Sequence, residues 1–194
     1  MAKVSRQQAA ENRARILAEA ARLFRERGLA GVGVDALSEA AGLTHGGLYS
    51  RFGSKEQLAA EAVAEALARN AEAMRLPDGR GEGGEALERL VARYLSPRHR
   101  DAPGQGCALA ALGSEVPRQG EAVRAAYTAG VRSFAARLGA LRPTQDDAAL
   151  GTLATLVGAL ILSRAVDDPE LSERILAAGR HHLLAEPRHG PDPD

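Results

Sequence analysis

Residues 42–55 read Gly-Leu-Thr-His-Gly-Gly-Leu-Tyr-Ser-Arg-Phe-Gly-Ser-Lys, and this stretch decides the fold. Gly42 supplies the positive φ with which one helix can end before the next begins at a steep angle. Thr44 is a good N-cap for that next helix, because its hydroxyl can accept a backbone N–H of the first turn. Leu48 and Phe52 lie one helical turn apart and give the short helix one apolar face. The pattern predicts two short helices joined by a tight turn.

The opposite face of this short helix is polar or very small. It carries His45, Gly46, Tyr49 and Arg51. A helix with small residues at its start and hydrogen-bond donors further along is suited to lie in the DNA major groove. Ser54 can then cap a following helix. The stretch therefore predicts a DNA-reading helix that leads directly into a further helix.

The residues before this stretch predict two more helices. From about Ala10 to Arg27 the apolar side chains recur on one helical stripe, and Gly28 ends the helix. The members of the stripe are Ile16, Leu17, Ala20, Leu23 and Phe24. A second short helix is predicted over Val34–Ala41. Residues 1–9 are predicted to form a flexible, mildly basic arm, and residues 10–52 a helix-turn-helix.

Charge is distributed unevenly along the chain, although the formal net charge of all 194 residues is zero. Residues 1–58 hold nine Lys and Arg against six Asp and Glu, which leaves +3 there and, by difference from zero, −3 in the remainder. A basic N-terminal part has the sign expected of a module that binds a polyanion.

The segment from Gly42 to Leu58 resembles the DNA-binding signature of the TetR-type bacterial transcriptional regulators, and the likeness covers about residues 10–60. It rests on the small residues, Leu-Tyr, Phe and Ser-Lys in fixed register. Two positions depart from the family's pattern. Gly33 stands where Thr is usual, so a hydroxyl contact to phosphate is lost although a backbone N–H remains. Ser50 stands where a bulkier residue is frequent, which weakens one groove contact.

The resemblance and the pattern together assign a role to each residue at the DNA. Thr44, His45 and Gly47 are expected to touch base edges, and Gly46 to let the backbone approach closely. Tyr49, Arg51 and Lys55 are expected to fix phosphates. The alternative is a helical turn that merely packs, which would need neither the glycine pair nor the exposed Tyr and Arg.

The rest of the chain predicts helices and no strand. Helices are expected over about 54–75, 85–95, 107–116, 121–141, 145–164 and 169–184, with a glycine-rich loop over 77–84. The fold class is therefore all-α with about nine helices. We expect a helix-turn-helix DNA-binding domain over residues 1–53, a helical effector-binding and dimerisation domain over residues 54–186, and a disordered tail over residues 187–194.

The last two predicted helices are candidates for a homodimer interface. One helix-turn-helix reads only a few base pairs, so two-fold pairing on a palindromic operator is expected. The candidate interface residues are Leu153, Val157, Leu160, Ile161, Leu171, Ile175, Gly179 and His182. The resemblance implies the same four-helix arrangement between two copies. The alternative is that these apolar stripes are the core of the domain itself.

The resemblance also implies a small-molecule effector pocket among the middle helices. Its expected lining is Met74, Leu90, Tyr94, Cys107, Tyr127, Val131 and Phe134. Cys107 follows Gly104-Gln105-Gly106 and should lie at a helix N-terminus, where the dipole favours thiolate. Some TetR-type regulators with a Gly-Cys pair there are thought to sense oxidants or electrophiles. The alternative is that Cys107 is a small buried hydrophobic residue.

Cysteine usage and hydropathy predict a cytoplasmic protein. A single cysteine excludes an internal disulfide framework, and the polar N-terminus lacks the apolar segment of a signal peptide. The most apolar run, Leu150–Leu162, is too short and too interrupted by Gly and Thr to predict a membrane span. We expect no membrane partner.

No cofactor, metal site or catalytic set is predicted. His181 and His182 are adjacent, so on a helix they point about 100° apart. His99 and His189 have no spaced partner, and no nucleophile–base pair or paired carboxylates stand in an apolar setting. The sequence therefore predicts a ligand-responsive transcriptional regulator, most simply a repressor. The alternative is a small all-α enzyme or protein-interaction module that does not bind DNA.

Overall fold

The computed structural model describes residues 6–73, 83–141 and 146–185. Every regular element within these ranges is helical. The helices are α1 (Arg6–Arg27), α2 (Val34–Ala41), α3 (His45–Phe52), α4 (Lys55–Ala73), α5 (Gly83–Tyr94), α6 (Pro97–Asp101), α7 (Ala108–Leu112), α8 (Glu121–Leu141), α9 (Asp146–Ala165) and α10 (Pro169–Leu184). Two 3₁₀ turns lie at Pro103–Gln105 and Val116–Arg118. The all-α prediction is confirmed.

The helix count differs from the expected nine because Pro97–Asp101 forms a short helix of its own, which makes ten in the described ranges. Ser96 caps it by accepting the His99 N–H at 3.2 Å, and Pro97 suits the first helical position because its missing N–H would have no partner there. The helix expected over residues 107–116 is shorter, since it ends at Leu112 and Pro117 shapes a separate turn.

Several expectations concern the ends of the described ranges. The first helix begins at Arg6, so residues 6–9 extend it and do not belong to an arm. Residues 1–5, most of the predicted 77–84 loop, and the predicted tail lie outside the described residues. The predicted bounds of α8 and α10 agree with the structure at both ends.

The chain divides into two compact units. The first comprises residues 1–75 and 101–137, and the second residues 76–100 and 138–194. These two units are defined by how tightly their residues pack together. The expected functional boundary after residue 53 concerns DNA contact, and it stays a prediction.

In the first unit, α1 packs against α2, α4 and α7. Phe24, Val32 and Leu58 are among its fully buried side chains. The Arg25 guanidinium also donates to the Gly104 carbonyl oxygen, with Nε at 2.9 Å. The helix α1 is thus packed on α4 and tied to the segment preceding α7.

In the second unit, α10 packs on α9, and α5 packs on both. An added side chain at Gly179 would lie 2.9 Å from Leu95 and 3.0 Å from Ala159, so a glycine there permits a close helix approach. Arg164 donates to the carbonyl oxygens of His99 (2.6 Å) and Arg100 (2.9 Å), which satisfies acceptors at the end of α6.

The helix α9 corrects one expectation. Its segment Asp147–Ala165 has 19 residues, a mean hydropathy of 1.6 and 28% of its residues buried, so by length and composition alone it could cross a bilayer. The apolar run is longer than Leu150–Leu162 because helical residues on both sides extend it. One such helix is weak evidence for a membrane span, since a packing helix of a soluble protein has the same composition.

Candidate nucleic-acid interface

The turn between α2 and α3 has the geometry that the sequence predicts. Gly42 has φ 64° and ψ 36°, a left-handed conformation that side chains other than glycine rarely adopt. Its N–H donates to the Glu39 carbonyl at 3.0 Å, and the Leu43 N–H donates to the Ser38 carbonyl at 2.9 Å. These bonds satisfy the last carbonyls of α2 and turn the chain into α3.

Both ends of α3 are set by local hydrogen bonds. The Thr44 hydroxyl accepts the Gly47 N–H at 3.1 Å, which confirms the predicted N-cap. At the other end, the Gly53 N–H donates to the Tyr49 carbonyl at 2.7 Å. The Ser54 hydroxyl then accepts the Gln57 N–H at 3.0 Å and begins α4, as predicted. The start and end of this helix are thus determined within a few residues of chain.

The inner face of α3 is held by its neighbours. Leu48 and Phe52 are 1% and 3% exposed. The Arg13 guanidinium lies over the Phe52 ring, 4.3 Å from its centroid, and Nη1 donates to the Arg51 carbonyl at 2.9 Å. The same guanidinium pairs with Glu61 of α4. One side chain of α1 therefore joins the end of α3 to α4, which the sequence did not indicate.

The outer face carries the residues expected at DNA. Gly33, Thr44, His45, Gly46, Tyr49 and Arg51 are exposed, and Gly47 and Lys55 are half-buried. Arg51 Nη1 lies 3.3 Å from the Gly47 carbonyl, so its side chain folds back along α3. Five of these residues lie within α3 and Thr44 caps it, whereas Gly33 precedes α2 and Lys55 begins α4.

His45 has a partner that sequence reasoning missed. Its Nε2 lies 2.6 Å from Asp35 Oδ1, although the two side chains are 54% and 95% exposed. This contact joins the first turn of α3 to the first turn of α2. A contact of His45 with a DNA base would either add to the pair with Asp35 or replace it. The only sequence signal for the pair is an acidic residue near the start of α2.

The glycines of α3 differ in what surrounds them. A Cβ added at Gly47 would lie 3.3 Å from Thr44 Oγ1 and 3.8 Å from the Leu43 side chain. A Cβ added at Gly46 would meet nothing within 4 Å. The packing of this chain therefore gives no reason for a glycine at position 46, which supports a role outside the chain.

Gly33 begins α2 without a side-chain cap, and a Cβ added there would meet nothing within 4 Å. The N–H groups of the first turn of α2 therefore find no side-chain acceptor at the N-cap, because glycine has no side chain. Such N–H groups at a helix start suit an anion, because the helix dipole adds to their attraction.

A small cavity of about 20 Å³, enough for roughly one water molecule, lies elsewhere in the first unit. Its lining comprises Leu67, Asn70, Cys107, Leu109, Gly130, Ser133, Phe134 and Arg137. Of the expected pocket residues, the structure brings Cys107 and Phe134 together here. Asn70, Arg137 and Ser133 were not anticipated, because polar residues on a helix are usually solvated.

The other expected pocket residues lie in different places. Leu90 and Tyr94 are 5% and 2% exposed and belong to the second unit. Val131 is half-buried, and Met74 lies outside the described residues. Tyr127 donates from its hydroxyl to the Leu109 carbonyl at 2.9 Å. Burial, and after it the nearby Cys107, raises the pKa of Tyr127 to about 12, so this donor stays protonated at neutral pH.

Cys107 is 1% exposed and precedes α7 as its N-cap residue. The predicted position at a helix start is confirmed. Burial of the thiol agrees with the small-hydrophobe interpretation, and its place in the cavity wall leaves the sensor interpretation open. In the described part of the chain, no group of three or more His, Cys, Asp and Glu side chains is arranged to hold a metal ion.

The expected interface residues of α9 and α10 fall into two groups. Leu153, Leu160 and Gly179 are buried within the second unit, as the domain-core interpretation predicts. Ile161, Leu171 and His182 are exposed, and Val157 and Ile175 are half-buried. Other exposed large apolar side chains here are Leu150, Leu162 and Leu184, at 46%, 57% and 39%.

Comparison with known families gives one match to a family model. Residues 16–62 match the family described as bacterial regulatory proteins, tetR family. The matched segment contains all of α2 and α3 and parts of α1 and α4. No curated protein matches the chain.

Solved structures similar to this one extend the likeness to most of the chain. A TetR transcriptional regulator from Chloroflexus aurantiacus is 26% identical, with a TM-score of 0.74 over 92% of this chain and 94% of that one. The reduced form of E. coli NemR is 22% identical, with a TM-score of 0.77 over 89% and 95%. A TetR-family regulator from Agrobacterium tumefaciens is 22% identical, with a TM-score of 0.76 over 91% and 99%.

Proposed function

We propose that this chain is a DNA-binding transcriptional regulator of the tetR family, and that it acts as a homodimeric repressor that a small-molecule effector releases from a palindromic operator. The observation that carries the proposal is the construction of α3. Its inner face is buried and clamped, its ends are capped, and its outer face carries groups with little role in packing. We place the protein in the cytoplasm, where its DNA lies.

At the DNA, we assign base contacts to the first turn of α3 and phosphate contacts to its flanks. Thr44, His45 and Gly47 read base edges, and Gly46 allows the backbone to approach. Tyr49, Arg51 and Lys55 fix phosphates, joined by the backbone N–H groups after Gly33. The match of residues 16–62 to a family of regulators supports this assignment.

The dimer would form through the exposed apolar side of α9 and α10. Ala154, Ile161 and Leu162 are exposed along α9, and added Cβ atoms at Gly151 and Gly158 would meet nothing within 4 Å. Small residues on an exposed apolar helix allow a second copy to approach closely. Pairing would cover the surface that makes α9 apolar enough to resemble a membrane span.

Effector binding would act through α4. This helix lines the cavity with Leu67 and Asn70 near one end, and only two residues separate its start from the end of α3. A ligand that prefers one position of α4 would lower the DNA affinity by the ratio of its affinities for the two positions.

The test is selection of bound sequences from a random DNA pool, followed by titration of the recovered site. We expect a palindromic site and a log–log salt slope of roughly −4, because two cationic phosphate contacts per subunit, Arg51 and Lys55, make about four per dimer. The His45→Ala protein should recover a different site, whereas Tyr49→Phe should weaken binding to all sequences alike. A pool without enrichment would refute the proposal.

A further inference from the structure

The pair of Asp35 and His45 joins the starts of the two helices of the helix-turn-helix. Asp35 is the second residue of α2 and His45 is the first residue of α3. His45 Nε2 lies 2.6 Å from Asp35 Oδ1. Because an ionised carboxylate can only accept hydrogen bonds, the proton between these two atoms belongs to Nε2. The carboxylate therefore fixes which ring nitrogen of His45 carries the proton.

The backbone positions of the two partners are set by the core. Leu37 of α2 and Leu48 of α3 are 2% and 1% exposed, so a buried side chain anchors each helix. The left-handed conformation of Gly42 turns the chain between them. The pair of Asp35 and His45 is consequently in place before DNA binds.

Stability gives only a weak reason for this pair. The Asp35 and His45 side chains are 95% and 54% exposed, and ion pairs of such exposure contribute little to folding. A carboxylate in the first turn of α2 favours the start of that helix, but this effect does not require His45. A carboxylate close to DNA is also repelled by the phosphates, which weakens binding to every sequence. A group that weakens general binding can still raise the preference for one sequence.

We propose that Asp35 is a positioning residue that sets the base preference of His45. With the proton held on Nε2, the neutral ring offers DNA only Nδ1, which is a hydrogen-bond acceptor. In the major groove this acceptor can pair with the N6 amino group of adenine or the N4 amino group of cytosine, and not with the oxygens of guanine or thymine. The inference rests on the proposed function, in which His45 contacts a base edge.

The first experiment identifies the atom that His45 reads. Selection of bound sequences with the wild type and with His45→Ala locates the base pair that depends on His45. The adenine or cytosine of that pair is then replaced by purine or 2-pyrimidinone, which lack the amino group. In fluorescence anisotropy the wild type should bind the altered site about fivefold more weakly, because one hydrogen bond is lost. His45→Ala should bind both sites equally.

The second experiment tests Asp35 itself. The same adenine or cytosine is exchanged for guanine or thymine, which carry an oxygen in place of the amino group. We expect the wild type to lose about tenfold in affinity. Asp35→Ala should bind the two sites within about twofold of each other, because its freed ring can turn and offer a donor or an acceptor. Glu39→Ala removes another exposed carboxylate of α2 and should keep the wild-type ratio.

A measurement without DNA tests the pair alone. Nitrogen NMR shifts of the His45 ring at about pH 8 should place the proton on Nε2 in the wild type and in Glu39→Ala, and partly on Nδ1 in Asp35→Ala. Circular dichroism checks that the variants remain helical, and a loss of helix stability would weaken binding to both sites alike.

Three results would overturn the inference: a wild-type ring with its proton on Nδ1, an unchanged affinity after removal of the amino group, or a wild-type ratio in Asp35→Ala. A wild type that enriches no sequence refutes the proposed function, and the base contact with it. The ring shifts would then still decide whether Asp35 fixes the proton of His45.

Discussion

At position 46 the recognition helix carries a glycine that its own protein does not need. Glycine within a helix costs roughly 0.5–1 kcal/mol relative to alanine. Because an added Cβ would meet nothing within 4 Å, no packing contact within the protein requires a glycine at this position. The close approach of the backbone to DNA that we propose would account for this cost.

Replacing Gly46 with alanine should therefore separate stability from binding. We expect the free energy of unfolding to rise by up to about 1 kcal/mol, because alanine is the better helix former. DNA affinity should fall by at least about tenfold, as one methyl group holds the backbone off the groove. Chemical denaturation and fluorescence anisotropy measure the two effects.

Gly139→Ala is the matched control, since it lies within α8 and its added Cβ would make only an ordinary contact of 3.9 Å with Ala149. It should gain stability without losing DNA affinity. If Gly46→Ala binds DNA as tightly as the wild type, the glycine has no role in groove approach.

At the scale of elements, Arg13 joins three helices through one guanidinium. It stacks on Phe52, donates to the Arg51 carbonyl and pairs with Glu61. The planar, forked guanidinium makes these contacts at once, and an ammonium group cannot. The end of α3 is thereby held at a defined position on α4.

Arg13→Lys should weaken DNA binding without unfolding the domain, because the charge remains while the contacts to α3 are lost. We expect a loss of about 5- to 50-fold in affinity with an unchanged helical circular dichroism spectrum. Arg15→Lys, an exposed residue of the same helix, is the control for a change of cation type. Equal losses of DNA affinity in the two variants would show that the contacts of Arg13 do not position α3.

His99 links α6 to the end of α5 in the second unit. Its Nδ1 lies 2.7 Å from the Tyr94 carbonyl oxygen, so Nδ1 carries the proton and donates. Its ring meets the Tyr94 ring edge-on, with centroids 4.7 Å apart. Burial, outweighing the bond to the Tyr94 carbonyl, lowers the pKa of His99, and Arg164 and Arg93 act in the same direction.

Stability should consequently fall in acid. The unfolded chain takes up a proton at His99 near its ordinary pKa of 6.5, whereas the folded chain resists it until a lower pH. The contribution of neutral His99 to the free energy of unfolding is complete above about pH 6.5. It is lost as the pH falls toward the pKa of the folded chain, at up to about 1.4 kcal/mol per pH unit. Urea denaturation between pH 7 and pH 5 measures it.

His99→Gln keeps a donor but cannot titrate, so its stability should depend less on pH over this range. His181→Gln removes an exposed histidine of α10 and should keep the wild-type slope. Identical slopes in all three proteins would show that His99 does not carry the effect.

At the scale of the whole molecule, the exposed apolar side of α9 is suited to pack against a partner. Leu162 is 57% exposed and Leu150 46%, on a helix of which most residues are not buried. A surface of this kind on a monomer would favour association. Two-fold pairing would also present two copies of α3 to one palindrome.

Leu162→Glu should place a charge in this interface and shift the protein to monomers in light scattering at micromolar concentration. Operator affinity should fall by at least about tenfold, since each monomer then binds one half-site alone. Ala125→Glu introduces the same charge at an exposed position of α8 and should remain dimeric. A monomeric wild type refutes the dimer, and co-sedimentation with lipid vesicles would assign α9 to a membrane instead.

The sequence by itself determined the features that local interactions control. Helix ends at Gly42, Thr44 and Ser54 depend on hydrogen bonds within a few residues, and these are visible as residue types. The amphipathic spacing of Leu48 and Phe52 identified the buried face of α3, because a short helix with one apolar side has one way to pack.

Only the tertiary structure decided which apolar or polar side chains meet. The helix α9 is apolar around much of its circumference, so its sequence could not separate buried Leu160 from exposed Leu162. Nor could it pair His45 with Asp35 or place Asn70 in a cavity wall. Such contacts join residues far apart in the chain, and their energies depend on which helices pack together rather than on any local pattern.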